Sequence, residues 1–213
     1  MGSFRARYRK TLGLLNIKPS ARDGFSSEQL SKAEKRLGIK VPSSLREYYL
    51  LCGKHKINQT HNRLLAPADL FVVGKRLVFM EENQNVVYWG VSCKSADGDP
   101  SVVQAIDLDD DVPWNNERTR CSTFLCVMLC IQASDDPFGP VGISKPVAAD
   151  VIRRAAKHWT FIGRVSELSA YAVDGLALCV TSEGKMATIQ VGGATEQDLL
   201  DFEARFGIGL DVV

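Results

Sequence analysis

The hydrophobic period of this chain changes near Leu64, and that change constrains the fold more than any other feature. Upstream, apolar residues recur three and four apart, the spacing of a helix face. Downstream they gather in short β-branched and aromatic runs separated by turn residues. Ser26 opens the first strong helix as N-cap, and Gln29 completes a capping box. Phe25 and Leu30 are placed to form the hydrophobic staple. Leu30, Ala33 and Leu37 share a face, and Gly38 ends the helix where a left-handed residue is wanted. Pro42, Ser43 and Ser44 start a second helix, with Ser44 and Glu47 as a second candidate box. Leu45, Tyr48, Tyr49 and Cys52 are its apolar side, and Gly53 stops it. Leu77–Met80 and Val86–Val91 then read as a hairpin turning through residues 81–85, and Val102–Ile106 as a third strand. Ser122 is the expected cap of a helix reaching Ala133, with Phe124, Leu125, Met128 and Leu129 buried. This order predicts an α+β fold, a mainly antiparallel sheet flanked by helices.

The run Asp135-Asp-Pro-Phe-Gly-Pro140 is the candidate boundary. Beyond it the pattern predicts a helix over Ala148–His158 and strands over Phe161–Val165, Leu168–Val173, Leu176–Val180 and Ala187–Val191. Thr195 caps a last helix ending at Gly207. The expected plan is therefore a basic N-terminal segment and linker (1–24), a main domain (25–139) and a C-terminal α+β extension or subdomain (140–213). Tyr8, Leu12 and Leu15 fall near one face of a basic helix within the first segment; a solvated terminus is the alternative. Ser26–Val41 and Thr195–Leu210 align at a constant offset, matching Leu30, Glu34, Arg36, Gly38 and Ile39 with Leu199, Glu203, Arg205, Gly207 and Ile208. Similar capping chemistry accounts for much of this, and a shortened second copy of the opening motif is the other reading.

The six cysteines form no Cys-x-x-Cys pair and sit among apolar neighbours, as small buried hydrophobes of a reducing compartment do. Cys126 and Cys130 lie one helical turn apart, but none of the three histidines is near them in sequence, so no metal is expected. Asp107–Asp111 lacks the glycine and the twelfth-position glutamate of a calcium loop. No phosphate-binding glycine loop and no G-x-S-x-G elbow occurs, and no cofactor is expected. No run of 18 uncharged apolar residues exists, no apolar stretch follows the basic start, and position 6 is Ala where myristoylation needs Ser or Thr. The expectation is a cytoplasmic protein with no membrane contact. Net charge is +1, but it is unevenly spread. Residues 1–77 hold 16 Lys/Arg against 5 Asp/Glu, residues 78–117 hold 1 against 9, and residues 118–213 hold 9 against 11. Such polarity suits steering of a charged partner, or halves of the fold that face each other. Arg5–Lys10 lacks an aromatic platform, so nucleic acid is not expected as that partner.

Glu34-Lys-Arg-Leu-Gly-Ile-Lys-Val-Pro42, followed by Leu45-Arg-Glu-Tyr-Tyr-Leu-Leu-Cys-Gly53, resembles the opening of the SUKH superfamily. Phe79-Met-Glu-Glu-Asn83 and Val87-Tyr-Trp-Gly90 look like that family's strand–Glu-Asn–strand element. The resemblance covers about residues 25–133. It departs at Cys52-Gly53-Lys54-His55, where a Gly-Gly-like turn is common. It implies a binding fold without a catalytic centre, as in bacterial immunity proteins that neutralise toxins and in fungal regulators of cell-wall synthesis.

The expected function is thus protein binding: an immunity protein occluding a basic toxin domain such as a nuclease, or a regulatory scaffold for a cellular protein. An enzyme would need convergent polar residues in an enclosed pocket, and no motif supplies them. The candidate contacts are the carboxylates of Glu81, Glu82, Asp107, Asp109, Asp110 and Asp111, with Trp89 or Trp114 as apolar anchor.

Overall fold

The computed structural model describes residues 4–94, 98–108, 113–135 and 138–213. These residues hold six α-helices and two antiparallel sheets, an α+β fold. They divide into two compact units. One contains the residues up to Arg9 together with Pro19–Leu125, and the other contains Lys10–Lys18 and Cys126–Val213. The division falls within a helix, ahead of the Asp135–Pro140 break where the sequence places a boundary.

Helix α1 (Phe4–Leu14) belongs to the first unit up to Arg9, and α2 (Ser27–Leu37) and α3 (Ser43–Cys52) follow there. The basic opening segment is therefore a packed helix and not a solvated tail. Tyr8 is fully buried, donates its hydroxyl to Ser44 O at 3.0 Å and meets the Tyr48 ring edge-on. Strands β1 (Asn62–Leu64), β2 (Phe71–Val73), β3 (Arg76–Glu82), β4 (Val87–Ser92), β5 (Ser101–Ile106) and β6 (Asn115–Arg120) follow. They pair in the order β1-β3-β4-β5-β6, with β2 also on β3. Successive strands are neighbours from β3 to β6, as short connections require. Strand β3 is buried on both faces, so its residues do not alternate between apolar and polar.

Helix α4 (Cys121–Ala133) is apolar all round and buried along almost its whole length. Phe124 sits edge-to-face on Phe79 and beside Trp89, both with ring centroids 5.8 Å away. Its N-terminus is not closed by Ser122 acting as cap. Ser122 lies inside the helix, and the Asp99 carboxylate takes both its backbone N–H and its hydroxyl at 2.7 Å. The second expected box also fails. Pro42 occupies the N-cap of α3 with no side-chain cap bond, the Ser44 hydroxyl has no partner among the described residues, and Glu47 accepts from the Arg5 backbone N–H at 2.6 Å.

The second unit builds a sheet of its own and does not extend the first. Its strands are β7 (Val141–Ser144), β8 (Val147–Ala148), β9 (Thr160–Val165), β10 (Leu168–Val173), β11 (Leu176–Glu183), β12 (Met186–Gly192) and β13 (Leu210–Val212). The order is β13-β7-β12-β11-β10-β9, with β8 also on β12. Helices α5 (Ala149–Ala155) and α6 (Glu196–Phe206) pack on one face, burying Ile152, Trp159, Leu178, Ile189, Leu199 and Phe202.

The alignment of Ser26–Val41 with Thr195–Leu210 extends to atoms. Each helix opens with a reciprocal capping box, Ser26 with Gln29 and Thr195 with Asp198. Each ends on a left-handed glycine, Gly38 at φ 66° and Gly207 at φ 65°. In each, a glutamate on the last turn reaches past that glycine. Glu34 accepts the Val41 backbone N–H at 3.0 Å, and Glu203 accepts that of Leu210. Capping propensity alone does not require this third contact.

Candidate functional site

Glu81, Glu82 and Asp107 lie at one end of the first unit's sheet, where β3 turns into β4 and where β5 ends. Register places Arg63, Glu81, Tyr88 and Ala105 in one row across β1, β3, β4 and β5. Glu81 is only 6% exposed and holds the Arg63 guanidinium, whose Nε lies 2.6 Å from Oε1. A buried carboxylate paired in this way is committed to the fold. Burial raises the Tyr88 hydroxyl, and the Glu81 and Asp107 carboxylates add to the rise against the pull of Arg63. Tyr88 thus stays neutral and able to donate at this acidic end.

Beyond that row the surface becomes apolar and open. Ile106 is 59% exposed and Val86 is 40% exposed. Ile106 pairs with Val87, and Asp107 N–H donates to Val86 O at 2.9 Å, which sets both residues at the same end of β4 and β5. Asp107 follows in a left-handed conformation at φ 54°, exposed and next to this step. Glu82 ends β3 on the other side of the turn, half-buried, with Oε2 making no hydrogen bond among the described residues. Solvent-facing Ile and Val beside the exposed Asp107 carboxylate suit contact with a partner that is apolar at its centre and basic at its rim.

The candidates read from sequence therefore separate. Glu82 and Asp107 lie at this end of the sheet. Asp109, Asp110 and Asp111 fall outside the described residues. Glu81 is close by but neutralised. Trp89 is not an anchor. It is 8% exposed, packs on Phe124, and donates its indole N–H to the buried Glu117 carboxylate at 2.9 Å. Trp114 lies elsewhere, half-buried over Gly74 and Gly90, with no partner for its indole N–H among the described residues. A side chain at either glycine would run into that indole.

Val86, Tyr88 and Ile106 are the residues that sequence reasoning missed. Their one signal was position, since Val86 and Ile106 lie next to the turn and to Asp107, and Tyr88 lies two residues from Val86, and an apolar strand residue reads by default as core.

Among the described residues no three His, Cys, Asp or Glu side chains gather as a metal site, and no helix is long and apolar enough to cross a membrane. Cys126 and Cys130 are fully buried in α4, and burial pushes the Cys130 thiol well above its ordinary range. That favours the protonated thiol over the thiolate a metal requires. No protein-family model matches the chain, and no curated protein or solved structure matches it.

Proposed function

We propose that this protein is a non-catalytic binding module of the immunity type, and that the acidic end of its first sheet covers a basic toxin domain. The observation that carries the reading is the exposure of Val86, Ile106 and Asp107 at one end of the first sheet. The family resemblance of residues 25–133 supports the same class, and so does the charge of residues 78–117, with nine acidic residues against one basic. A nuclease surface that holds phosphate is itself basic, so such a carboxylate rim would both steer it and block its substrate. Val86 and Ile106 would fill the desolvated centre, and Tyr88 would donate a hydrogen bond beside them.

Capture from the native source at low and moderate salt, followed by mass spectrometry, tests this. The expected catch is one basic toxin domain, held less firmly as salt rises because exposed charges are screened. Ile106→Ala should weaken that complex about tenfold and the charge reversal Asp107→Lys at least as much, the range of a central interface contact. Capture of a cellular enzyme complex in place of a toxin would favour the regulatory scaffold. Unchanged affinity in both variants would remove this surface from the interface.

A further inference from the structure

We propose that the groove between α5 and the sheet of the second unit binds a small amphipathic anion, an apolar body carrying a phosphate or carboxylate head. The groove has a volume of about 620 Å³, the size of small-molecule sites. Its floor continues the apolar core face. Val180 and Ala187 come from the sheet, and Ile152 from the helix. Along β10 and β11 the same face then turns polar. Ser169 pairs with Val180 and Ser182 with Ala187, so the strand period that places apolar residues inward also aims these two hydroxyls at the groove.

The rim is cationic. Arg153, Arg164 and Lys185 line it against a single acid among the described residues, Asp150. That acid is engaged by Arg154, one helical turn along, whose hydrogen bond is the main cause holding the Asp150 carboxyl below its ordinary range. Arg164 is fixed from below, its Nε donating to the buried Ser169 hydroxyl at 3.1 Å. This leaves the two terminal nitrogens of its planar fork for an oxyanion. Lys185 is exposed at the β11–β12 turn, and its carbonyl accepts the Ala149 N–H at 2.9 Å, which ties that turn to the start of α5. Three cations around an apolar floor select both parts of the ligand. A bare anion leaves the floor wet, and a neutral apolar molecule leaves the cations unpaired.

Calorimetric titration of the full chain with octyl phosphate, below its micelle concentration, tests the assignment, with octanol and inorganic phosphate as the separated parts. Octyl phosphate should bind, and each part should bind at least tenfold more weakly. Arg153→Gln and Lys185→Gln, both at exposed positions, should each lower the affinity several-fold while the circular dichroism spectrum stays unchanged. Arg164→Gln should lower it about tenfold, since a fixed guanidinium gives two bonds where lysine gives one. Binding of octanol as tight as that of octyl phosphate would overturn the proposal. So would native affinity in all three variants, or no heat with octyl phosphate.

Discussion

At the scale of single residues, Glu34 does more than its place on an amphipathic helix suggests. Its side chain is 10% exposed, accepts the Val41 N–H and lies 3.4 Å from the Arg46 guanidinium. Removing it strands a buried donor and a partly buried cation. Glu34→Ala should therefore cost about 2–3 kcal/mol, whereas Glu34→Gln, which keeps the acceptor, should cost roughly half as much. Glu28→Ala, on an exposed pair with Lys32, should stay within about 0.5 kcal/mol. Urea unfolding of the three variants checks the order.

His55 gives the pH dependence. Burial is the main cause holding its imidazole below the ordinary 6.5, partly offset by Asp23 and reinforced by Lys56. Its Nδ1 accepts the Ile57 N–H at 3.3 Å, a role open only to the neutral ring. The unfolded chain thus binds the proton more readily than the folded one. Stability from this group is complete above pH 6.5 and is lost as pH falls through the lower folded value. Melting temperatures between pH 7.5 and 5 should fall, and His55→Gln should flatten that limb.

Among the elements, legibility followed the distance over which each signal acts. The capping boxes of α2 and α6, their glycine stops and the β3–β4 and β11–β12 hairpins are contained within a few residues, and the sequence displays them. The start of α4 is not local. Ser122 looks like a cap, yet Asp99, more than twenty residues upstream, supplies the carboxylate. Asp99→Ala should accordingly cost about 1–2 kcal/mol, as loss of a cap does, and Ser122→Ala less, since the backbone bond to Asp99 survives it; thermal denaturation distinguishes them. Strands β1, β2 and β13 have three residues each, too few to show a period. Strand β6 reads Asn-Asn-Glu-Arg-Thr-Arg and is polar enough to pass for loop, although Glu117 and Thr119 point inward. Trp89 was misplaced for the same reason: both faces of the central strands are buried, so an aromatic there carries no mark of inside or outside.

For the whole molecule, the uneven charge has a simpler setting than the sequence indicates. Apart from residues 10–18, the basic stretch 1–77 belongs to the same unit as the acidic stretch 78–117. The polarity therefore lies within one folding unit, where the sequence also allowed opposed halves of the fold. The cysteines are a second property of the entire chain. All six are free, five are buried and only Cys93 is partly exposed. Burial raises Cys93, and it pushes Cys179 to about 11. Folded protein at pH 8 should react with a thiol reagent slowly and at about one site, which Cys93→Ser abolishes, whereas denatured protein should react at six. Mass spectrometry of the labelled chain reads both numbers.

The braced helix exits bear on the order in which this chain folds. Each glutamate reaches a backbone N–H seven residues ahead. Contacts of that separation close quickly, on the order of 10–100 ns for a ten-residue loop. Strand pairings such as Arg63 with Glu81 or Val141 with Gly192 must first close longer loops. The ends of α2 and α6 can thus be set, with the outgoing chain already aimed, before either sheet has found its partners. One exit leads into a helix and the other into a strand, so the direction is imposed by the brace and not by what comes after it.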